Sequence, residues 1–140
     1  MFISYCNYEN MITDYFIDEI LAIRERESAV KNIRFSISFD SLKMDKDILD
    51  IYYTFSSTYE DMDGKRIGEI KMVGHLIDKE ENEETARMVN NCWPIKKSFP
   101  KAVLDRVINV LNFECGARGT LVAYAMAFPP PLPLSTAKNE

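Results

Sequence analysis

The sequence predicts an α+β fold in which one antiparallel β-sheet meander is covered by helices, built as a single domain over residues 1–140. Three observations carry that expectation. Residues 31–78 hold extended segments joined by short polar connections, residues 79–128 change to helical spacing, and residues 129–140 form a proline-rich extended tail. Ahead of them, residues 1–30 read as an aromatic arm followed by a helix.

The strand on which the sheet is organised is Ile48 to Tyr59, ILDIYYTFSSTY, rich in β-branched and aromatic residues and free of Gly and Pro. Its two faces differ. Leu49, Ile51, Tyr53 and Phe55 fall on one, Ile48, Tyr52, Thr54 and Ser56 on the other. The first belongs to a core. The second is half apolar, so Ile48, Tyr52 and Thr54 are candidates for an interface between copies of the chain, a dimer or a tetramer.

Taken in order, Met1 to Tyr8 suits a short edge strand or a packed arm. From Asn10 to Arg26, apolar residues at Ile12, Phe16, Ile20 and Ile23 recur at helical spacing, with Asp14 in the first turn and Arg24 and Arg26 in the last, which predicts a helix. Lys31 to Asp40 alternates strictly, Ile33, Phe35, Ile37 and Phe39 against Arg34, Ser36, Ser38 and Asp40, and is the cleanest strand signal. A polar linker, Ser41 to Asp47, leads to the central strand. Asp61-Met62-Asp63-Gly64 then supplies turn chemistry before a third strand, Ile67 to Ile77, whose Gly68 and Gly74 mark a bend, a bulge or the close approach of another backbone.

The acidic run from Asp78 to Glu84 predicts a helix start, with Asp78 and Glu81 at capping-box spacing, and a stripe at Thr85, Met88, Val89 and Cys92 carries the helix to a stop at Trp93-Pro94. Ser98-Phe99-Pro100 opens another helix with an apolar face at Val103, Leu104, Val107, Ile108, Val110 and Leu111, leaving Asp105, Arg106, Asn109 and Asn112 to solvent. Gly116 to Gly119 reads as a break. Periodicity leaves Thr120 to Phe128 open between helix and strand. Phe128 to Leu134, FPPPLPL, reads as extended polyproline II.

Composition narrows the function. A net charge of −5 and a pI near 5.0 oppose a phosphate backbone, so nucleic acid is not expected as a partner. No apolar run is long enough for a membrane span, and MFISYCNYEN lacks the basic and apolar regions of a secretory signal, which makes the cytoplasm the expected location. The three cysteines, Cys6, Cys92 and Cys115, have no C-x-x-C spacing and read as reduced structural thiols. A zinc site would require all three around His75, the single histidine, and no metal or cofactor is expected. His75, on a strand, reads as a sheet-face residue rather than a catalytic base. No nucleotide-binding, esterase or metalloprotease motif occurs, so no catalytic residue is assigned. The PxxP spacing at Pro130 and Pro133 has no nearby basic residue and reads as a segment packed on its own domain.

The order of long antiparallel strands, the glycine-containing strand GEIKMVGHLI, a helix ending at NNCWPI, the helix start SFPKAVLDRVINVL and the extended run FPPPLPL resembles the SecB-like family, the fold of the protein-export chaperone SecB. The resemblance implies a non-enzymatic protomer that pairs with copies of itself and holds extended or unfolded apolar polypeptide, with a link to protein transport. An assembly or adaptor protein for one folded partner is the second reading, and an enzyme of unknown reaction the third. For the first, Trp93, Phe99, Met126, Phe128, Leu132 and Leu134 are expected to converge as the polypeptide-binding surface. The proline run must lie extended over other residues, and Met with aromatics adapts to varied apolar partners. A plain core is the competing reading of the same residues.

Overall fold

The computed structural model describes residues 11–96 and 98–131. The arm at Met1 to Tyr8, Cys6, and the tail from Leu132 lie outside the described residues. Four strands, β1 (Ile12–Arg24), β2 (Asn32–Asp45), β3 (Ile48–Glu60) and β4 (Arg66–Lys79), precede two helices, α1 (Glu83–Lys96) and α2 (Lys101–Met126). The sheet order is β1-β4-β3-β2 with every pair antiparallel, so β2, β3 and β4 form the predicted meander and β1 returns beside β4 in a Greek-key arrangement.

β3 is bonded on both sides, as its sequence requires. Leu49, Ile51, Tyr53 and Phe55 are fully buried on the face the helices cover, and each contributes about 1.5–3 kcal/mol of burial. Gly74 and Gly68 stand opposite Tyr53 and Tyr59 on β3. A Cβ at Gly74 would overlap the Phe16 carbonyl oxygen and the Tyr53 hydroxyl, and one at Gly68 the Ile23 carbonyl oxygen and the Phe128 ring. Both glycines therefore admit a neighbouring backbone and an aromatic side chain, Tyr53 across the strands at Gly74 and Phe128 from beyond α2 at Gly68. Tyr53 uses the space to donate its hydroxyl hydrogen to the Phe16 carbonyl at 2.9 Å. The expected turn forms at Asp61, whose Oδ1 accepts the backbone N–H groups of Asp63 and Lys65 at 2.9 Å.

The segment expected as a helix from Asn10 to Arg26 is instead strand β1. Two bulges explain the false period. The register with β4 shifts between Ile12 and Asp14 and again between Ile17 and Glu19, so the core-side positions run Ile12, Tyr15, Ile17, Ile20, Ala22. A step of two thus becomes a step of three, twice, which imitates helical spacing. The outward set mixes apolar Phe16, Leu21 and Ile23 with Asp14 and Glu19, which weakens the alternation that would have identified a strand.

Other boundaries moved for local reasons. Ser41 to Asp45 is not linker but the end of β2 beyond a bulge between Phe39 and Ser41, and Lys46 takes φ 58° in the turn that follows. Asp78 does not cap a helix; it lies buried at the end of β4. The cap is Asn82, whose Oδ1 accepts the Thr85 N–H at 2.9 Å while Thr85 Oγ1 accepts the Asn82 N–H at 3.4 Å. Ala86, Val89 and Trp93 form the buried stripe of α1, leaving Met88 exposed, and the helix passes through Pro94 to end at Lys96. No break occurs at Gly116 to Gly119, since both glycines face inward within a helix of 26 residues that includes Thr120 to Met126.

Candidate polypeptide-binding surface

The two helices divide the core side of the sheet between them. α2 lies over β1 and β4, and α1 over β2 and β3. At its start α2 is tied down by Arg106, whose Nε and Nη2 each donate to Asp78 at 3.0 Å and whose Nη2 also contacts Glu80. Arg106 was expected in solvent, yet its side chain is 7% exposed. The pairing with Asp78 and Glu80 is what allows a guanidinium there. Midway, the Tyr15 hydroxyl lies 3.0 Å from Cys115 Sγ and the Tyr15 ring stacks on Tyr53. At the end, Arg24 Nη2 donates to the Ala127 carbonyl at 2.8 Å, a cation at the negative end of the helix.

Both edge strands are incompletely covered, Ile20 on the core side of β1 being 46% exposed. On the core side of β2, Ile33, Phe35, Ile37, Phe39, Leu42 and Met44 pack against the core but stay partly exposed. β2 pairs with β3 alone among the described residues, so its other edge offers unpaired backbone N–H and C=O groups. Register places these side chains in rows across the sheet: Phe35 with Ser57 and Ile70, Ile37 with Phe55 and Met72, Phe39 with Tyr53 and Gly74. The result is a partly exposed apolar strip along an edge strand, whose helix contacts come mainly from α1.

The sequence-predicted binding residues fall at the two ends of this strip. Trp93 and Phe99 stack at 5.2 Å, and Phe99 meets Phe39 edge-on at 4.9 Å. Phe128 stacks on Tyr59 at 4.2 Å, with the Arg24 guanidinium 4.5 Å above its ring. Met126 is partly buried near the same end. Trp93 and Phe99 precede α2, while Met126 is its last residue and Phe128 follows it, and a helix of 26 residues spans about 39 Å. The residues do not converge on one spot. Trp93, Phe99 and Phe128 are 8%, 6% and 5% exposed, closing the ends of the strip rather than lining it, and Leu132 and Leu134 lie outside the described residues. Phe35 and Ile37, which sequence reasoning read only as strand core, form the open middle. Their alternation was visible; their exposure was not, since it depends on where two helices come to rest.

The opposite face of the sheet carries no described helix. There Tyr52 stacks on His75 at 4.9 Å and His75 on Phe16 at 4.7 Å, while His75 Nδ1 lies 2.7 Å from Asp50 Oδ1. The candidate interface residues Ile48, Tyr52 and Thr54 all belong to this face, Ile48 exposed and the other two half-buried. α2 has an outward apolar stripe of its own, Phe113, Leu121 and Tyr124, the last 88% exposed.

Burial sets the chemistry of the ionisable groups. It pushes the Cys115 thiol up to about 11, which makes it unreactive, and pushes the Tyr15 hydroxyl well above its ordinary value. Burial and the adjacent Asp78 push Glu80 up to about 8. No group of three or more metal-binding side chains occurs among the described residues.

A four-stranded antiparallel sheet with two helices on one side is an α+β fold of the SecB-like kind. The solved structure of Rv1957 from Mycobacterium tuberculosis, a SecB-like chaperone in complex with a ChAD peptide from the Rv1956 HigA1 antitoxin, is similar to it with TM-score 0.55 and 10% sequence identity, over 85% of this chain and 84% of that one. The likeness is one of fold. No family model and no curated protein matches the sequence.

Proposed function

We propose that this protein is a non-enzymatic, chaperone-like binder of extended or unfolded apolar polypeptide segments that acts in the cytoplasm as a dimer or tetramer. The observation that carries the proposal is the half-covered strip Phe35, Ile37 and Phe39 on edge strand β2, closed at one end by Trp93 and Phe99 and at the other by Met126 and Phe128. An extended chain places alternate side chains on one face every two residues, about 6.6 Å, which is the spacing of the β2 rows. Aromatic and aliphatic rows, in which Ser57 is the one buried polar member of the Phe35 row, select for apolarity rather than for one sequence. The fold neighbour was solved in complex with a peptide, which agrees with a polypeptide ligand. No helix among the described residues is long and apolar enough to cross a membrane.

The test is a labelled peptide of alternating Leu and Ser titrated into the full chain and into Phe35→Ser. Loss of one apolar contact is expected to weaken binding about tenfold. Equal affinity in the two proteins would remove the strip as the site.

The adaptor reading has its own support in the exposed stripe Phe113, Leu121 and Tyr124, which suits one helical or folded partner. Several unrelated unfolded proteins kept from aggregating by the chain would decide for the first reading, and a Leu121→Asp change would leave that activity intact.

A further inference from the structure

We propose that Asp78, Glu80 and Arg106 form a proton-operated latch on the start of α1, closed while Glu80 carries a proton and open once it is lost. Rising pH then loosens α1 and admits a client more readily. The inference rests on the polypeptide-binding reading for the admission of the client only.

The three side chains come from separate parts of the chain. Asp78 lies at the end of β4, Glu80 in the connection to α1 and Arg106 in the second turn of α2, and they are 0%, 8% and 7% exposed. Arg106 holds Asp78 through both Nε and Nη2 at 3.0 Å, and Glu80 Oε2 shares the Nη2 that is already in use. Among the described residues no other cation lies within ion-pair distance of either carboxyl group. Two ionised carboxylates on one guanidinium would leave a net negative charge in a buried site, which is costly. A proton on Glu80 brings the cluster to neutrality while the bidentate Asp78–Arg106 pair stays whole. Burial first and Asp78 second accordingly push the Glu80 carboxyl up to about 8. The other charges around it do not relieve this. Glu81 adds negative charge, Glu83 and Glu84 in the first turn of α1 are exposed acids, and Asp105 beside Arg106 is exposed and paired with Lys101. Lys46 and Lys79 are exposed, and Asp47 of the β2–β3 turn presents its main-chain carbonyl.

Position makes Glu80 the weak point. Its N–H donates to the Asp47 carbonyl at 2.8 Å, and beyond it no side chain is buried until Ala86, so Glu80 holds the connection to the sheet before α1 begins. α2 is anchored by Arg106 to Asp78, Tyr15 to Cys115 and Arg24 to Ala127, and keeps these ties when Glu80 ionises. An ionised Glu80 is best solvated by turning outward, which frees the start of α1 and leaves α2 in place. The closed latch binds the proton and the open one holds an ordinary carboxylate, so closure is complete at low pH and weakens as pH rises toward 8. α1 supplies the main helix contacts of the β2 strip and carries Trp93 to its Phe99–Phe39 end. A loosened α1 therefore widens the strip.

Trp93 is the only tryptophan in the chain, and its quenching by acrylamide, a neutral probe, reports whether α1 stays seated. In the full chain the quenching constant should rise about twofold between about pH 6 and pH 9, with the helical circular dichroism retained. Glu80→Gln, which keeps a neutral hydrogen-bonding group in place, should show no rise. Asp78→Asn should show none either, because one carboxylate then faces one guanidinium. Quenching that stays constant in the parent, or that rises equally in both variants, overturns the latch. So does a rise accompanied by loss of the helical signal, which is global unfolding. The Leu/Ser peptide tests admission separately. Apparent affinity follows the fraction of open molecules, so an increase of that fraction from about one tenth to about one half strengthens binding about fivefold in the parent, and Glu80→Gln should not show it. Opening at Trp93 with peptide affinity unchanged overturns the gating step. Opening with no peptide bound at either pH upholds the latch and sinks the polypeptide-binding reading instead.

Discussion

The β1–β4 half and the β2 half of the same sheet side are built from equally apolar strands, each ending in a partly exposed edge strand, and they differ in how the helix above them is anchored. Above β4, α2 is fixed along its length by Arg106 to Asp78, Tyr15 to Cys115 and Arg24 to Ala127. Above β2, the contacts gather at the Trp93–Phe99–Phe39 end, and Phe35 and Ile37 keep part of their surface in solvent. Hydrophobic sequence alone therefore does not define a core. The length and anchoring of the covering element decide which apolar strand becomes interior and which becomes surface, and a binding role belongs to the second kind.

The comparison breaks most sharply at Arg106. Arg106→Ala leaves Asp78 and Glu80 buried with no cation, which should cost about 3–5 kcal/mol in chemical denaturation. Peptide affinity per folded molecule should stay unchanged, because the closed half holds the fold and not the client. A comparable loss of affinity in the folded fraction would show that the halves are not separable.

A change on the other half should invert that pattern. Phe35→Ser removes a half-buried ring at an edge and should lower stability by about 1–2 kcal/mol, below the range for a fully buried Phe, while peptide binding weakens. Its partner Ser57 is buried and Phe35 is not, although the two stand opposite each other in register. Equal stability costs for Phe35→Ser and Phe55→Ser would mean that the strip is ordinary core.

The same contrast explains what the sequence could disclose. The meander was readable because Ile33 to Phe39 alternates cleanly and Ile48 to Tyr59 lacks any breaker, and the close approaches at Gly68 and Gly74 were readable because glycine inside a strand has few other uses. β1 was not, since its two bulges shift the phase of the pattern and its outward face carries Phe16, Leu21 and Ile23 beside Asp14 and Glu19. Nor was the Asp78–Arg106 pair, because charged residues in sequence resemble capping and solvent-facing groups until a tertiary contact brings them within 3.0 Å. Of the candidate site, the residues closing the strip were named and its open middle was not. A side chain's partial exposure is a property of its cover, which pattern along one strand does not encode.

Glu80 sharpens the comparison by pH. Its carboxyl, pushed up to about 8 in the fold, returns to the ordinary carboxylate value of 4.5 on unfolding. A proton held more tightly in the folded state adds stability that is complete below the unfolded value and is lost as pH rises through the folded one. The unfolding midpoint should therefore fall between about pH 5 and pH 8, and Glu80→Gln should flatten the decline and leave the variant the more stable protein at the upper end. A midpoint that rises across that window would overturn the protonated Glu80.

The smallest effect on stability is expected on the opposite face, where Tyr52 is half-buried and makes its contacts in the open. Its ring stacks on His75, and its hydroxyl reaches Asp50 Oδ2 at 3.3 Å. Tyr52→Asp exchanges these for a solvated carboxylate at the surface, a change of about 0.5–1 kcal/mol by the usual scale of exposed sites. If copies of the chain meet through Ile48, Tyr52 and Thr54, that same carboxylate is carried into an apolar contact and, in a two-fold pair, opposes its own copy, so assembly fails while the protomer remains folded. Light scattering at tens of micromolar should then give a dimer or tetramer for the parent chain and a monomer for Tyr52→Asp, with peptide binding retained because the strip lies on the other side of the sheet. An assembly that survives the substitution would move the interface off this face, and the stripe Phe113, Leu121 and Tyr124 on α2 would be the next surface to test with Leu121→Asp.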